Sequence, residues 1–450
     1  MRLEVGSRHP ADSNRTAGAL RPALALASLR SSLARALLAA LSCALLGPGC
    51  AERERLPRCR ERLTAAQCAQ IGQLLVVGFG GESDPHGLRF DAASEVARDI
   101  AELHVGGVIL FSEPSVAGAR GRNVENPRQV ASLVSALREH SRVSRERAGL
   151  EPLPLLVAID QEGGAVDRLP AARGFAQVTF SARTFGLALE QARDAAQRER
   201  VLEATRRYAS ALAAQLRGLG FDWNLAPCVD VNLERSSPAI GALGRSFSAQ
   251  PEVVADLAEE FARAFRAQGV LTTLKHFPGH GSARGDSHDG FVDVTPHWRR
   301  NAELAPYRRL LTRGYQDAIL VGHVVNGVID RTQCKAGRAD DPRTWCPASL
   351  SHAAVTGLLR GELGFDGLVV ADDLTMDAIA RELPLATALE RALAAGVDVL
   401  LAGNHAGRET QRIVDTIADG VVAGRIDAAH VQRAAQRARK VKLRLAAARA

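Results

Sequence analysis

Gly367-Leu368-Val369-Val370-Ala371-Asp372 is an apolar run, β-branched at its centre and closed by a carboxylate. A continuous apolar run without polar alternation reads as a strand buried on both faces, the setting of a parallel sheet covered by helices. Seven further runs have the same character, at 73–79, 106–111, 154–160, 221–231, 270–276, 317–323 and 397–402. Between them lie Ala-, Leu-, Arg- and Glu-rich stretches with helical periodicity, such as 251–268 and 349–363. Eight strand–helix units predict an α/β fold: a single (β/α)8 TIM-type barrel over 64–450, ending in a C-terminal helix, with no second C-terminal domain. A doubly wound open sheet is the competing architecture, but no Gly-rich phosphate fingerprint follows the first run.

The ends of the chain carry the charge. Of the formal +7, residues 1–49 hold +4 (six Arg against Glu4 and Asp12) and residues 425–450 hold +7 (eight Lys or Arg against Asp427), which leaves the body at −4. A basic total of this origin does not point to nucleic acid, and no nucleic-acid partner is expected. The tail from Asp427 reads as an amphipathic helix with a solvated basic face, a polyanion site being the alternative. A hydrophobic fraction of 46% and a charged fraction of 24% describe a soluble globular protein whose core needs no metal or disulfide framework.

Arg30 and Arg35 precede an apolar run at 36–46, and Gly47-Pro48-Gly49-Cys50 follows. This pattern predicts an export signal over 1–50, of lipoprotein type, with Cys50 (Cys43 as the alternative) accepting lipid, and a linker over 51–63. The run is too short to span a bilayer; an N-terminal core helix is the bland reading. The expected location is the periplasm or an outer-face membrane, with a lipid anchor. Outside the cytosol, Cys334 with Cys346 and Cys59 with Cys68 are natural disulfide pairs. Cys228 lies in an apolar run and reads as a buried thiol.

Several runs end in polar residues: Asp160, Lys275 with His276, His323, and Asp372. In a (β/α)8 barrel the strand C-termini meet at one mouth, so residues far apart in sequence share a pocket. The densest group is Lys275-His276-Phe277-Pro278-Gly279-His280-Gly281, followed by Asp286-Ser287-His288. Lys275 is one of four lysines, the other three falling in a surface loop or the tail. Zinc held by His276, His280, Asp286 and His288 is one reading of this group. A proton donor, His288, oriented and charged by Asp286 is a second, and a solvated loop is the third. In Asp372-Asp373 one carboxylate serves as nucleophile while the other caps the following turn, or both cap. Asp160-Gln161-Glu162-Gly163-Gly164, with Arg168 beyond, offers a carboxylate for sugar hydroxyls and glycines for close backbone approach. In Gly244-Arg245-Ser246-Phe247, Arg245 is placed to reach inward.

Together these four segments resemble glycoside hydrolase family three, in particular its bacterial β-N-acetylglucosaminidase (β-N-acetylhexosaminidase) branch, over nearly all of the chain from residue 64. The resemblance implies that Asp372 is the nucleophile, His288 the general acid/base and Asp286 its partner. It implies sugar-binding roles for Asp160, Arg168, Arg245, Lys275 and His276, and neither a metal nor a cofactor. A histidine acid is unusual, since most retaining glycosidases use a second carboxylic acid. Ala371 stands where a Ser is common in the family, and the Cys334–Cys346 insertion is not typical. The expected activity is exo-acting, retaining hydrolysis of terminal β-linked N-acetylglucosamine from peptidoglycan fragments by a monomer. The substrate class is a small GlcNAc-containing glycan or muropeptide. Phosphorolysis of the same glycosides is the alternative, and a catalytically silent wall-binding lipoprotein is the non-enzymatic one.

Overall fold

The computed structural model describes residues 58–80, 88–112, 122–285, 291–403 and 409–448. The export-signal region 1–50, Cys43 and Cys50 included, lies outside them, as do Asp286 and His288. Eight parallel strands form one sheet: β1 (Leu75–Val77), β2 (Gly107–Leu110), β3 (Leu156–Ile159), β4 (Trp223–Asn224), β5 (Thr273–Phe277), β6 (Ala318–Val321), β7 (Leu368–Ala371) and β8 (Val399–Ala402). Each lies inside, or in β5 overruns by one residue, the apolar run that predicts it. Neighbours follow chain order, and β8 pairs β1. Parallel bridges Trp223–Leu271 and Cys228–Lys275 join β4 to β5 and close the ring. β4 is short because Pro227 brings no N–H to the ladder. The TIM-type barrel expected from the sequence is the fold.

Alternation along the strands makes two cores. Val76, Ile109, Trp223, Leu320, Val370 and Leu401 fill the barrel. Val77, Leu110, Val157, Ile319, Val369 and Leu400 face the helical layer. Trp223 is fully buried, and its Nε1–H donates to Thr273 Oγ1 at 2.7 Å, so the large ring brings no orphaned donor inside. The surrounding helices are α1 (Ala65–Gly72), α2 (Pro127–Arg147), α3 (Ala195–Leu219), α4 (Pro251–Ala267), α5 (Ala305–Thr312), α6 (Leu385–Ala395), α7 (Glu409–Val422) and α8 (Ala428–Ala447), with a π-helix at Ala353–Glu362. Asn126 and Asp194 cap α2 and α3 by accepting from the backbone N–H of Gln129 and Gln197.

The strand starts carry their own acids. Asp222, Asp317 and Asp398 precede β4, β6 and β8, almost wholly buried. Arg138 binds Asp222 at 2.6 Å, Arg444 binds Asp317 at 2.8 Å, and Arg360 and Arg437 bind Asp398. The tail therefore differs from its reading as a solvated face. Ala438, Val441 and Leu445 of α8 join the barrel-interior core, so α8 closes the N-terminal face. Arg439 pairs with Glu151, and Arg437 pairs with Asp366 as well. Lys442, expected at the surface, is 1% exposed: Nζ donates to Gln73 Oε1 and Gly106 O, both at 2.7 Å. The amphipathic period was legible; that its apolar face would bring a lysine to the strand-start carbonyls was not.

Cys59 and Cys68 are disulfide-bonded, as are Cys334 and Cys346, and Cys228 is a buried thiol. Within the stretch read as linker, Cys59–Arg62 forms a helical turn, tied by its disulfide to α1 and by Cys59 N–H to Asp415 of α7 at 2.7 Å. The 334–346 insertion folds back through an antiparallel bridge between Gln333 and Trp345.

Lys442 gives a stability test. Burial, then repulsion from Arg145, lowers its pKa from 10.5 to about 7. The folded state disfavours the charged amine, so stability falls as pH drops from about 10 towards 7 and levels off below. The gap corresponds to roughly 4–5 kcal/mol at most. Lys442→Met loses two hydrogen bonds at every pH but escapes this penalty. Urea titrations should show the variant gaining on the native chain as pH falls from about 10 to 6; a pH-independent difference would contradict the assignment.

Candidate active site

The strand ends place the predicted polar residues at the C-terminal mouth. β3 leads into Asp160, β5 carries Lys275 and His276, β6 precedes His323, and β7 leads into Asp372. Five side chains form a ladder of alternating charge. Lys275 Nζ pairs with Asp160 and, at 2.7 Å, with Glu162 Oε1. Arg245 grips Glu162 in two-pronged fashion, Nε to Oε2 at 2.9 Å and Nη2 to Oε1 at 2.7 Å. Arg168 Nη2 approaches Asp160 Oδ2 at 3.4 Å. Burial would raise the Glu162 pKa, but Arg245 and Lys275 hold it well below the carboxylate range. Burial alone would lower Lys275; Asp160 and Glu162 raise it instead. Glu162, Lys275 and Arg245 are therefore all charged at neutral pH.

The 160–168 segment is shaped by its own side chains. Gln161 Oε1 accepts from Arg168 N–H at 2.7 Å while its Nε2 donates to Asp167 Oδ1 at 2.7 Å. Gly163 has φ 91°, and a Cβ there would stand 2.5 Å from Phe180 O. Only glycine fits that conformation and that gap.

Asp230 is the hub beneath His276. It accepts from the His276 ring Nδ1 at 2.7 Å, from the backbone N–H of His276 at 3.2 Å and of His280 at 2.7 Å, and from Cys228 Sγ at 3.2 Å. Burial pushes its pKa up, but the facing histidines and N–H groups bring it to about 2. With Nδ1 committed to Asp230, His276 turns Nε2 toward Arg245, 3.3 Å from Nη2. Cys228, Asp230 and His276 are the one group with metal-ligand proximity among the described residues, their ligand atoms lying within 4.8 Å of one another. The Asp230 oxygens already serve four donors, so the trio is a satisfied hydrogen-bond cluster. Of the zinc set weighed from sequence, His276 Nδ1 is thus engaged, and Asp286 and His288 lie outside the described residues.

Asp372 and Asp373 divide their work. Asp373 Oδ1 accepts from the N–H and Oγ1 of Thr375, at 2.9 and 2.5 Å, and so fixes the turn after β7. Asp373 N–H donates to Asp372 Oδ1 at 2.9 Å. His323 braces the turn, with Nε2 3.0 Å from Asp373 O and Nδ1 2.8 Å from Ser349 Oγ. Burial would raise the Asp372 pKa; His323, His276, the Asp373 N–H and Lys275 outweigh it and lower it below 3.8. Asp372 is thus held as an anion at the mouth.

The structure brings Asp160, Arg168, Arg245, Lys275, His276 and Asp372 into one connected site. Glu162 and Asp230 join this site without having been assigned a role from the sequence. An acid two residues after Asp160, and an Asp near the end of the 221–231 run, are the available signals.

Residues 68–441 match the family model described as glycosyl hydrolase family 3 N-terminal domain. Beta-hexosaminidase A of Pseudoalteromonas piscicida is 33% identical over 350 residues, 75% of this chain and 53% of that one, so this chain spans about half its length. Beta-hexosaminidase LpqI of Mycobacterium tuberculosis is 32% identical over 387 residues, covering 83% of this chain and 82% of that protein. A solved family 3 β-N-acetylglucosaminidase of Paenibacillus sp. FPU-7 superimposes with a TM-score of 0.70 at 34% identity, covering 86% of this chain and 64% of that one. The fold is a (β/α)8 barrel with a charged site at its strand C-termini. The chain belongs to glycosyl hydrolase family 3.

Glu162 offers a direct test of the charge ladder. Glu162→Leu leaves Arg245 and Lys275 buried with one anion fewer than they need, at a cost of about 3–5 kcal/mol. Chemical denaturation should register that loss, and a change below about 1 kcal/mol would show the ladder to be dispensable.

Proposed function

We propose that this chain is an exported, exo-acting, retaining β-N-acetylhexosaminidase that removes terminal β-linked N-acetylglucosamine from peptidoglycan fragments. The observation that carries the reading is Asp372: a carboxylate kept ionised at the barrel mouth, beside Lys275 and His276, in a family 3 chain. Asp160, Lys275, Arg168, Arg245 and His276 supply acceptors and donors for the hydroxyls of one sugar ring. Asp372 attacks the anomeric carbon as the bond to the leaving oxygen breaks, and His288, charged and oriented by Asp286, gives that oxygen its proton. The resulting glycosyl ester is hydrolysed by a water that neutral His288 deprotonates, so two inversions give retention. The names of the relatives support the N-acetylhexosaminide class. Two disulfides support an oxidising compartment, and with the basic-then-apolar N-terminus ending at Cys50 they favour a lipid-anchored monomer acting outside the cytoplasm.

Asp372→Ala should abolish turnover of every substrate, because each turnover needs the covalent bond. His288→Ala should slow a β-linked disaccharide by about 10²-fold or more while barely changing the glycosylation burst of an activated aryl glycoside, whose phenolate leaves without a proton. Equal slowing of both would reject His288 as the acid. Omitting or adding phosphate should leave the product as free sugar; a sugar 1-phosphate would identify a phosphorylase. Cys50→Ser should move the protein from the membrane to the soluble fraction, and unchanged fractionation would reject the anchor.

A further inference from the structure

The turn after β7 is tied to the far side of the mouth by an arginine that the mechanism above does not use. Arg122 follows β2 in the chain and is 5% exposed. Its Nε donates to Gly80 O at 2.9 Å, and its Nη2 donates to Gly403 O at 2.6 Å and lies 3.4 Å from Phe79 O. The Phe111 ring lies against the guanidinium, its centroid 4.5 Å from Cζ. These carbonyls lie just beyond the ends of β1 and β8, past the strand ladder, where a buried C=O needs another donor. Asn123 works beside it: Nδ2 donates to Phe79 O at 3.0 Å, and Oδ1 accepts from Phe111 N–H at 3.1 Å. Arg122 and Asn123 thus lace together the ends of β8, β1 and β2.

Carbonyl dipoles alone leave a buried guanidinium without a counter-charge. The charge that faces Arg122 is Asp373: burial lowers the Arg122 pKa, and the Asp373 carboxylate pushes it back up. The packing agrees. A Cβ at Gly403 would stand 2.8 Å from Asp373 Oδ2 and 3.0 Å from Phe111 Cζ. The carboxylate and the ring on which Arg122 rests therefore close on the glycine whose carbonyl Arg122 holds. Asp373 in turn acts on its neighbour. Its Oδ1 fixes the turn through Thr375, its carbonyl meets His323 Nε2 at 3.0 Å, and its N–H donates to Asp372 Oδ1 at 2.9 Å. We propose that Arg122 is a positioning residue for the nucleophile: it anchors the Asp373 carboxylate to the ends of β8, β1 and β2, and through the Asp373 N–H it fixes the direction in which the Asp372 carboxylate points. This rests on Asp372 being the nucleophile, as read above.

The task suits an arginine and not a lysine. The planar fork reaches carbonyls beyond two strands and still presents a face to Phe111, whereas an ammonium offers a single point of charge. The tie is also separate from the sugar-binding charges. Asp160, Glu162, Lys275 and Arg245 compensate one another on the side of β3 and β5, so losing Arg122 leaves them paired. The expected defect therefore lies in attack on the anomeric carbon and not in the grip on the sugar. It is blind to the leaving group, because a carboxylate that points wrongly attacks an activated and an unactivated glycoside equally poorly. A misplaced acid gives the opposite pattern, sparing the activated substrate.

The test uses the full chain with Arg122→Met, Asp373→Asn and the double variant, and Asp372→Ala in parallel. Asp373→Asn keeps an oxygen for Thr375 while removing the charge that Arg122 faces. Arg122→Met should slow both kcat on a β-linked N-acetylglucosamine disaccharide and the burst on an activated aryl glycoside by at least about tenfold. The inhibition constant of free N-acetylglucosamine should stay within about threefold of the native value, which a general loosening of the mouth would not allow. The double variant should be no more than about threefold slower than the slower single one, because both substitutions break one tie. If Arg122→Met does not fold, Arg122→Lys, which keeps the charge without the fork, takes its place with an expected loss of at least about threefold. A smaller loss than these, beside an Asp372→Ala that abolishes turnover, overturns the tie and spares the nucleophile. Losses that multiply in the double variant, or a fall in N-acetylglucosamine affinity as large as the fall in rate, also overturn the tie. An Asp372→Ala that keeps turning over removes the nucleophile reading, and the tie with it.

Discussion

The arrangement of the mouth depends on one buried exchange of charge, in which Glu162 is shared between Lys275 and Arg245 while Lys275 is shared between Glu162 and Asp160. Each ion alone would be expelled from so dry a place or would neutralise itself. Alternation removes both outcomes, because every charge has an opposite charge beside it. The constraint reaches far along the chain: Glu162 and Arg245 are 83 residues apart, and Asp160 and Lys275 are 115 apart. Strands β3 and β5 and the loop after β4 must therefore close to a fixed spacing before any of the four is compensated. The barrel is a condition for the ladder, and the ladder locks the barrel's mouth. The same interior field keeps Asp372 ionised, since Lys275 and His276 face it as well.

The two ends of the barrel use similar residues for opposite ends. At the strand starts, Asp222, Asp317 and Asp398 are each consumed by arginines from the outer helices or from α8, with little left to offer a ligand. α8 then covers that face, and Lys442 satisfies the carbonyl of Gly106 from inside. At the strand ends the ions pair with one another around an opening, and Asp160 and Asp372 remain partly accessible. Acids at strand starts hold helices to the sheet, whereas acids at strand ends meet at the pocket. A carboxylate's position along its strand therefore says more about its use than its residue type does.

That asymmetry explains what could be read from the chain. Parallel strands buried on both faces leave continuous apolar runs, so all eight were visible, and the polar residue closing a run pointed to the mouth in Asp160, Lys275, His276 and Asp372. Arg168 and Arg245 stood out only by lying beside those segments, and their sugar-binding roles came from the family resemblance. Glu162 was hidden because its meaning lies in a partner 83 residues away. Asp230 was hidden because its run looks like plain strand, and what it holds is the backbone of a later loop. Lys442 was misplaced because a helical period fixes which face is apolar and leaves open what that face covers.

The ladder also bears on the proposed assignment of His288 as the acid. A carboxylic acid in that role would become an anion as the leaving group departs, and the site already holds Asp160, Glu162 and Asp230 as fixed anions. In the proposed step, the imidazolium proton and the Asp372 charge disappear together, one into the leaving group and the other into the ester. The salt bridges among Asp160, Lys275, Glu162 and Arg245 do not take part in that exchange, and the step adds no new anion to the site. The imidazole left behind is neutral and basic, which is what the incoming water requires.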